Sequence, residues 1–375
     1  MPSFNSFVRY RKKMFKKSIK PLLFTFFVLH SSLLAQYSVS TFAGTDSGFV
    51  NGTLTGSKFN GSFGICIDKE GNIYIADSGN NCIRKISIDG KVSTFAGIGE
   101  AGNNDGDRLS ATFNSPTGIC TDYNGNFFVA DFLNHTIRKV DSDGIVTTFA
   151  GSGQPGFADG FSGKAQFNFP RGIAIDGYGN LFVGDSWNHR IRKIAPDGNV
   201  TTYAGGGSDI GPDSKGSCVD GHSDQARFFT PCGVVCDLYG NVYVADALNH
   251  RIRKIDNFRN VTTVAGSGES GWSNGRFSDG DYESSMLNTP TELSVSFDEE
   301  IYFSDTFGNR VRKVNLDGIV TTVAGDGTPG FADGDGMLSK FNYPRGIVLD
   351  NAENKIYVID SKNFRIRVIT SDKKD

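Results

Sequence analysis

Helical patterning is what this sequence lacks most. Beyond residue 35 no stretch repeats its apolar side chains at the 3.6-residue period of an amphipathic helix, and only 4 methionines stand against 47 glycines, 31 phenylalanines and 12 tyrosines. That balance points to a β protein. A long apolar run is missing too: the stretch from Leu22 to Ala35, at about 14 residues, is too short to cross a bilayer. Acidic residues are absent from the first 35 positions, which hold seven basic ones, Arg9, Arg11, Lys12, Lys13, Lys16, Lys17 and Lys20. A basic head, a short apolar core and the small Ala35 read together as a signal peptide over residues 1–35. An uncleaved anchor is the rival reading, and Met14 is a second candidate start. The expected location is outside the cytoplasm, whether periplasmic, secreted or at the cell surface.

Taking the seven basic residues of that leader from the chain's 38 leaves 31 against 41 acidic residues, a formal net of −10. An acidic domain repels phosphate backbones unless its bases are gathered in one patch, so nucleic acid is not an expected partner. Stable membrane insertion is not expected once the leader is removed.

What the chain does contain is one phrase written six times: an apolar run ending in Asp, a polar turn, then Ile-Arg-Lys or a close variant. The Asp recurs at Asp77, Asp131, Asp185, Asp246, Asp305 and Asp360, giving periods of 54, 54, 61, 59 and 55 residues. An Arg follows seven positions later each time, at Arg84, Arg138, Arg192, Arg253, Arg312 and Arg367. Such a period marks a repeat architecture whose units bury their faces only against neighbours, so the length does not imply several domains. The third copy shows the local plan. Gly172–Asp176 is a short apolar run, Tyr178-Gly179-Asn180 a turn, Leu181–Asp185 a second strand and Ser186–His189 a second turn. Arg190–Ile194 then alternates polar and apolar, Pro196-Asp197-Gly198 turns again, and Val200–Ala204 is a β-branched and aromatic fourth strand.

Four antiparallel strands repeated six times predict a six-bladed β-propeller, with blades at about 59–97, 113–151, 167–205, 228–266, 287–325 and 341–371. The sixth copy stops after its third strand, Arg365–Ile369. Its missing Val-Thr-Thr-Phe-Ala-Gly phrase stands at the front of the chain as Val39–Gly44. The N-terminal strand, residues 38–44, is therefore expected to close the last blade and remove an open edge.

The pattern Val-Ala-Asp-x-x-Asn-His-Arg-Ile-Arg-Lys-Ile, clearest at 183–194 and 244–255, resembles the NHL repeat, and here it runs through nearly all of residues 38–371. The long links, such as Ala150–Gly160, resemble those of exported bacterial NHL proteins and of the propeller that some proteins fuse to a thioredoxin-like domain. The resemblance implies the propeller fold. It implies little about function, because this fold hosts binding modules and enzymes alike.

Features common to all six copies read as architecture. The Asp and Arg of the phrase are expected to form a blade-internal salt bridge or a carboxylate-capped turn. The second-strand aromatics, Tyr74, Phe128, Phe182, Tyr243, Tyr302 and Tyr357, have the spacing of inter-blade packing. Asn51, Asp105, Asp159, Asp220, Asn274 and Asp333 each precede Gly in the links and read as positive-φ turns; calcium is the alternative, without the acidic spacing of an EF-hand to accompany it. Among the six cysteines, Cys66 and Cys120 share a slot that other copies give to Ala174 or Val235 and so read as small buried residues. Cys82 falls at a turn position, and a Cys218–Cys232 bridge stays open.

Features that differ between copies are where function is written. Trp187, Leu133, Leu248 and Phe307 occupy the turns between second and third strands, on the face that also carries the inter-blade links. His135, His189 and His250 stand beside them, as turn-stabilising residues or, alternatively, as zinc ligands. The position between Pro and Gly at the start of each first strand is expected to ring the channel mouth: Phe63, Thr117, Arg171, Cys232, Thr291 and Arg345, with Glu292 replacing the usual Gly in the fifth copy. Arg171, Arg345 and Glu292 either frame a polar pocket, where guanidinium forks suit carboxylates or sulfates, or pair with acids of the link loops. Two links are enlarged, Gly206–Arg227 and Ser267–Ser285, the second holding Trp272.

Two functional readings follow. The first is a monomeric, non-catalytic binding propeller that holds a protein, peptide or glycan through Trp187, Trp272, Phe307, Arg171, Arg345 and Glu292, with no cofactor and no metal. The second is a channel-mouth enzyme, since relatives of this fold include lyases and sugar-lactone hydrolases working at a metal or histidine there. In the lyases those histidines lie around a Phe-x-x-Pro segment, and here the matching slots hold Gln166, Arg171, Arg227, Cys232, Lys340 and Arg345. No nucleophile with an adjacent base is visible, so binding is the favoured reading.

Overall fold

A computed structural model of the chain describes residues 37–206, 218–270, 278–352 and 354–371. The expected signal peptide over 1–35 and the alternative start at Met14 lie outside the described residues. Each repeat is bent into a sheet by turns whose chemistry is plain in the sequence. Asp176 Oδ1 accepts from the backbone N–H of Tyr178 at 2.9 Å and of Asn180 at 2.8 Å, and Gly179 takes the φ of +80° that the turn demands. This joins the first strand of blade 3, Pro170–Ile175, to the second, Leu181–Asp185. The next turn is a single 3₁₀ turn over Ser186–Asn188, closed by His189 in the left-handed conformation, and it starts the third strand, Arg190–Ile194. Asn199–Ala204 completes the four.

Six such antiparallel sheets form the ring, a six-bladed β-propeller. Among the described residues there is no α-helix. Five of the six sheets carry a fifth, outermost strand of two residues, for example Gly160–Phe161 against Asn199–Val200 in blade 3. The sequence reading did not include this strand; it arises from the Asp-Gly link positions, which turn and then lie along the blade edge.

The first strand of the chain, Tyr37–Ala43, pairs antiparallel with the last, Arg365–Ser371, with Val39 opposite Ile369 and Thr41 opposite Arg367. The ring thus closes as the displaced phrase requires. Apolar burial lies between blades rather than within them. Tyr74 of blade 1 packs with Ile119 and Phe127 of blade 2, Phe128 with Ile173 and Leu181 of blade 3, and the pattern continues round to Tyr357 against Ile65 and Ile73. Inner strands approach so closely that a Cβ on Gly118 would strike the Arg171 carbonyl, and one on Gly172 the Cys232 carbonyl.

Three expectations are corrected. Cys82 is not in a turn: it is the first residue of the third strand of blade 1, opposite Asp77, and fully buried. The Cys218–Cys232 bridge is not formed; all six cysteines are free thiols, and Cys232 sits at the channel mouth with its thiol donating to the Thr230 carbonyl at 3.6 Å. Asn274 lies outside the described residues, and the link position of blade 5 that matches the other Asp-Gly pairs is Asp279–Gly280.

Candidate ligand site at the channel mouth

The repeated Asp and Arg are committed to the blade. Each Arg is fully buried and donates to its Asp at 2.7–3.3 Å. The second guanidinium nitrogen goes to the link: Asp105, Asp159, Asp220, Asp279 and Asp333 accept it in blades 2 to 6, and Asn51 does so in blade 1. The inner pairing matches the sequence reading. The outer acid was read as a turn residue, with calcium as the alternative, although its spacing of 33 residues before the Arg in five blades, and 34 in the sixth, was a usable signal for pairing.

The histidines are equally committed. His135, His189 and His250 each accept a backbone N–H of the next blade at Nδ1, from Phe169 at 3.2 Å and from Thr230 and Thr289 at 3.1 Å. Burial lowers the pKa of all three, aided at His189 by Arg190 and at His250 by Arg251, which keeps the neutral, accepting form. Asn81 and Asn309 perform the same task with their amide oxygens, toward Ser115 and Tyr343. These residues staple blade to blade.

At the channel mouth the copies diverge, and a cavity of about 610 Å³ opens on the face of the second-to-third-strand turns. Phe63 of blade 1, Arg171 and Trp187 of blade 3, Cys232 of blade 4, Phe307 of blade 5 and Arg345 of blade 6 all reach it. Position within the blade decides this. Arg171 and Arg345 stand at the start of first strands, next to the channel, while Trp187 and Phe307 crown the turns above them. Trp187 is 45 % exposed and leans on Phe169, ring centroids 4.7 Å apart; Phe307 meets Tyr343 at 4.9 Å. The Arg171 guanidinium lies 5.6 Å from the Phe63 ring and 5.0 Å from Phe132, and that of Arg345 lies 4.8 Å from Phe63. Pairing with link-loop acids, the alternative for these arginines, does not occur among the described residues.

Family models for the NHL repeat match residues 64–86, 113–140, 167–194 and 341–369, the phrase in four of the six blades. The chain is an NHL-repeat β-propeller. It is 29% identical over 313 residues to NHL repeat-containing protein 2 of Homo sapiens, an alignment covering 75% of this chain and 42% of that protein. The chain therefore spans less than half the length of the curated relatives it matches first. Among solved structures it resembles an auxiliary nutrient binding protein from Bacteroides thetaiotaomicron, with a TM-score of 0.67 and 18% identity over 91% of this chain and 78% of that one. A virginiamycin B lyase from Staphylococcus aureus is also similar, with a TM-score of 0.52 and 13% identity over 89% and 99%. At these identities the likeness is one of fold.

Of the six side chains singled out in the sequence, this NHL propeller brings Arg171, Arg345, Trp187 and Phe307 to one cavity. Trp272 lies outside the described residues, as do parts of both enlarged links, residues 207–217 and 271–277. Glu292 is not a lining residue. It stands in the channel wall with Oε1 buried and unpartnered, its Oε2 close against Gly233, and burial raises its pKa to about 8. Phe229 and Tyr343, which the sequence reading passed over, line the cavity; Phe229 stands two residues before its Pro, where the other copies have Asn, and Tyr343 one residue before, where they have Gly61, Ser115, Phe169, Thr230 and Thr289. A smaller cavity of about 400 Å³ lies between blades 1 and 2 on the opposite face, but its carboxylates Asp68 and Asp122 are occupied by turn hydrogen bonds. That face also exposes Tyr178 and Phe258 at turn tips, so apolar exposure is not confined to the channel mouth.

Proposed function

We propose that this NHL propeller is a binding module, working outside the cytoplasm, which takes a protein, peptide or glycan at the channel mouth through Arg171, Arg345, Trp187 and Phe307. The observation that carries the reading is that side chains differing between repeats meet in one concave, mainly apolar site, whereas the repeated ones are spent on the blades. Catalysis is less well served. Thr291 and Thr306 hydroxyls in the cavity bond to each other at 2.6 Å, and Thr306 donates to the Pro344 carbonyl at 2.6 Å. No lining hydroxyl or thiol has a free base beside it; His189 Nδ1 already accepts from Thr230. The nutrient-binding description of a propeller with this fold is in keeping with the reading, and Trp272 and Glu292 remain proposed contributors beside the four.

The test is capture of a partner from the native envelope by the immobilised propeller, compared with a Trp187→Ala/Phe307→Ala double variant. The variant should lose at least nine-tenths of the captured material while melting within a few degrees of the parent. Capture unchanged in a folded variant removes this face from consideration.

A further inference from the structure

The channel-mouth cavity holds two cationic side chains and no acid. The six fully buried repeat arginines are paired: each donates to its inner Asp and to an outer Asp, or to Asn51 in blade 1. Arg171 and Arg345, by contrast, have no carboxylate partner among the described residues; their recorded neighbours are the rings of Phe63 and Phe132. Both guanidiniums lie against the same ring, Arg171 at 5.6 Å and Arg345 at 4.8 Å from the Phe63 centroid. Burial, and then the charge of Arg171, press the pKa of Arg345 downward. Two like charges, each partly withdrawn from water and without a carboxylate partner, are an unfavourable arrangement that a bound anion relieves.

The walls narrow the chemistry further. Phe229, Trp187, Phe307 and Leu248 are apolar or aromatic, and the hydroxyls of Thr291 and Thr306 are already bonded to each other and to Pro344. A polyol entering this space would bury hydroxyls with few partners, each at a cost. An apolar body with one anionic end meets no such penalty, and the planar fork of a guanidinium matches a carboxylate.

We infer that the site takes a carboxylate carried on an apolar body, the carboxylate seated between Arg171 and Arg345 and the apolar part against Phe229, Trp187 and Phe307. This deepens the binding reading given above and rests on it. The same chemistry is presented by the C-terminal residue of a peptide and by a free apolar acid.

The experiment is equilibrium titration of the intact protein with four probes: 3-phenylpropanoate, 3-phenylpropanamide, a six-residue peptide ending in Phe with a free carboxylate, and the same peptide as its C-terminal amide. Acids should bind at least tenfold more tightly than the matching amides. Arg171→Gln and Arg345→Gln should each weaken the acids at least tenfold and leave the amides unchanged, with Arg345→Lys between. A peptide acid tighter than the free acid identifies a chain terminus as the source, and the reverse identifies a small acid. Amides binding as well as acids, no acid binding at millimolar concentration, or acid binding unchanged in Gln variants that melt like the parent overturns the inference. The acid-to-amide comparison needs no variant and stands even if the substitutions disturb folding. If it fails while partner capture still depends on Trp187 and Phe307, only the ligand class is wrong; if that dependence is absent too, the binding face falls with it.

Discussion

Arg192 illustrates how a blade disposes of a charge that its interior cannot hydrate. The guanidinium is fully buried, stacks 5.2 Å from the Phe167 ring and is held between Asp185 at 2.8 Å and Asp159 at 2.6 Å. The two acids are unequal: Asp185 is fully buried, while the Asp159 side chain is 46% exposed. Arg192→Leu leaves Asp185 buried without its cation and is expected to cost about 3–5 kcal/mol in denaturant unfolding. Asp159→Asn reproduces the arrangement of blade 1, where Asn51 serves Arg84, and should cost only about 1 kcal/mol. Equal costs for the two variants would mean that the inner and outer acids are interchangeable. Glu292 provides a titration at the same scale. Its carboxyl is raised from 4.5 to about 8 by burial, so the folded chain keeps a proton that the unfolded chain releases across that interval. Stability attributable to this group therefore falls as pH rises from about 4.5 to about 8, by at most about 1.4 kcal/mol per pH unit, and is level above. In Glu292→Gln that slope should vanish; a melting curve of the variant that tracks the parent across the interval would show that the carboxyl is ionised in the fold.

The second-to-third-strand turn is the element that ties one blade to the next. Its last residue is left-handed in every blade, at Asn81, His135, His189, His250, Asn309 and Phe364, with φ between 48° and 56°. Five of the six project an acceptor to the following blade. Histidine and asparagine are chemically equivalent there, because a neutral imidazole Nδ1 and an amide oxygen both accept, and asparagine tolerates positive φ well. They differ in acid. With folded pKa values lowered below 6.5, the three histidines contribute stability that is complete above about pH 6.5 and is lost as pH falls below it, since the unfolded imidazoles take up protons first. The triple variant His135→Asn/His189→Asn/His250→Asn should match the parent at pH 8 and melt higher than it at pH 5. A parallel loss in both proteins would place the acid sensitivity elsewhere. This element also marks how far the sequence could be read. Six copies of one phrase revealed the blades, the turns and the Asp–Arg pair, because those are local or recur at a fixed spacing. The staple was read as a turn feature, while its partner lies 34 to 41 residues away in the next blade. The cavity was legible only in part for the same reason. The approach of Phe63 to Arg171 and Arg345 depends on three blades being placed around one axis, and no spacing along the chain encodes it.

For the ring as a whole, the critical junction is the one where sequence order and spatial order part company. Tyr37–Ala43 supplies the outer strand of the last blade, burying Val39 and packing Phe42 on Tyr357 at 4.8 Å between centroids. Thr41 donates from N–H and hydroxyl to Asp333, the outer acid of Arg367, so the strand also completes the clamp of that blade. Burying each of these apolar side chains contributes about 1.5–3 kcal/mol, against a total of about 5–15 kcal/mol for a typical fold. Deleting residues 36–44 should therefore give an aggregating or loosely packed product that has lost the cooperative melt. Between blade 6 and blade 1 the side-chain staple is missing: Phe364 occupies the stapling position without an acceptor, and the blade 1 position equivalent to the stapled residues is Gly61, whose φ of +58° matches theirs. Introducing the amide used in blades 1 and 5 should complete the circle. Phe364→Asn is expected to raise stability by about 0.5–1.5 kcal/mol and to slow unfolding, with the larger gain in hydrogen-exchange protection at Gly61 and along Tyr37–Ala43. The comparison that separates seam from blade is His189→Phe, which removes a staple inside the ring. It should destabilise by a similar amount while leaving protection of Tyr37–Ala43 unchanged, because opening a ring already latched at its ends begins where the chain is not continuous.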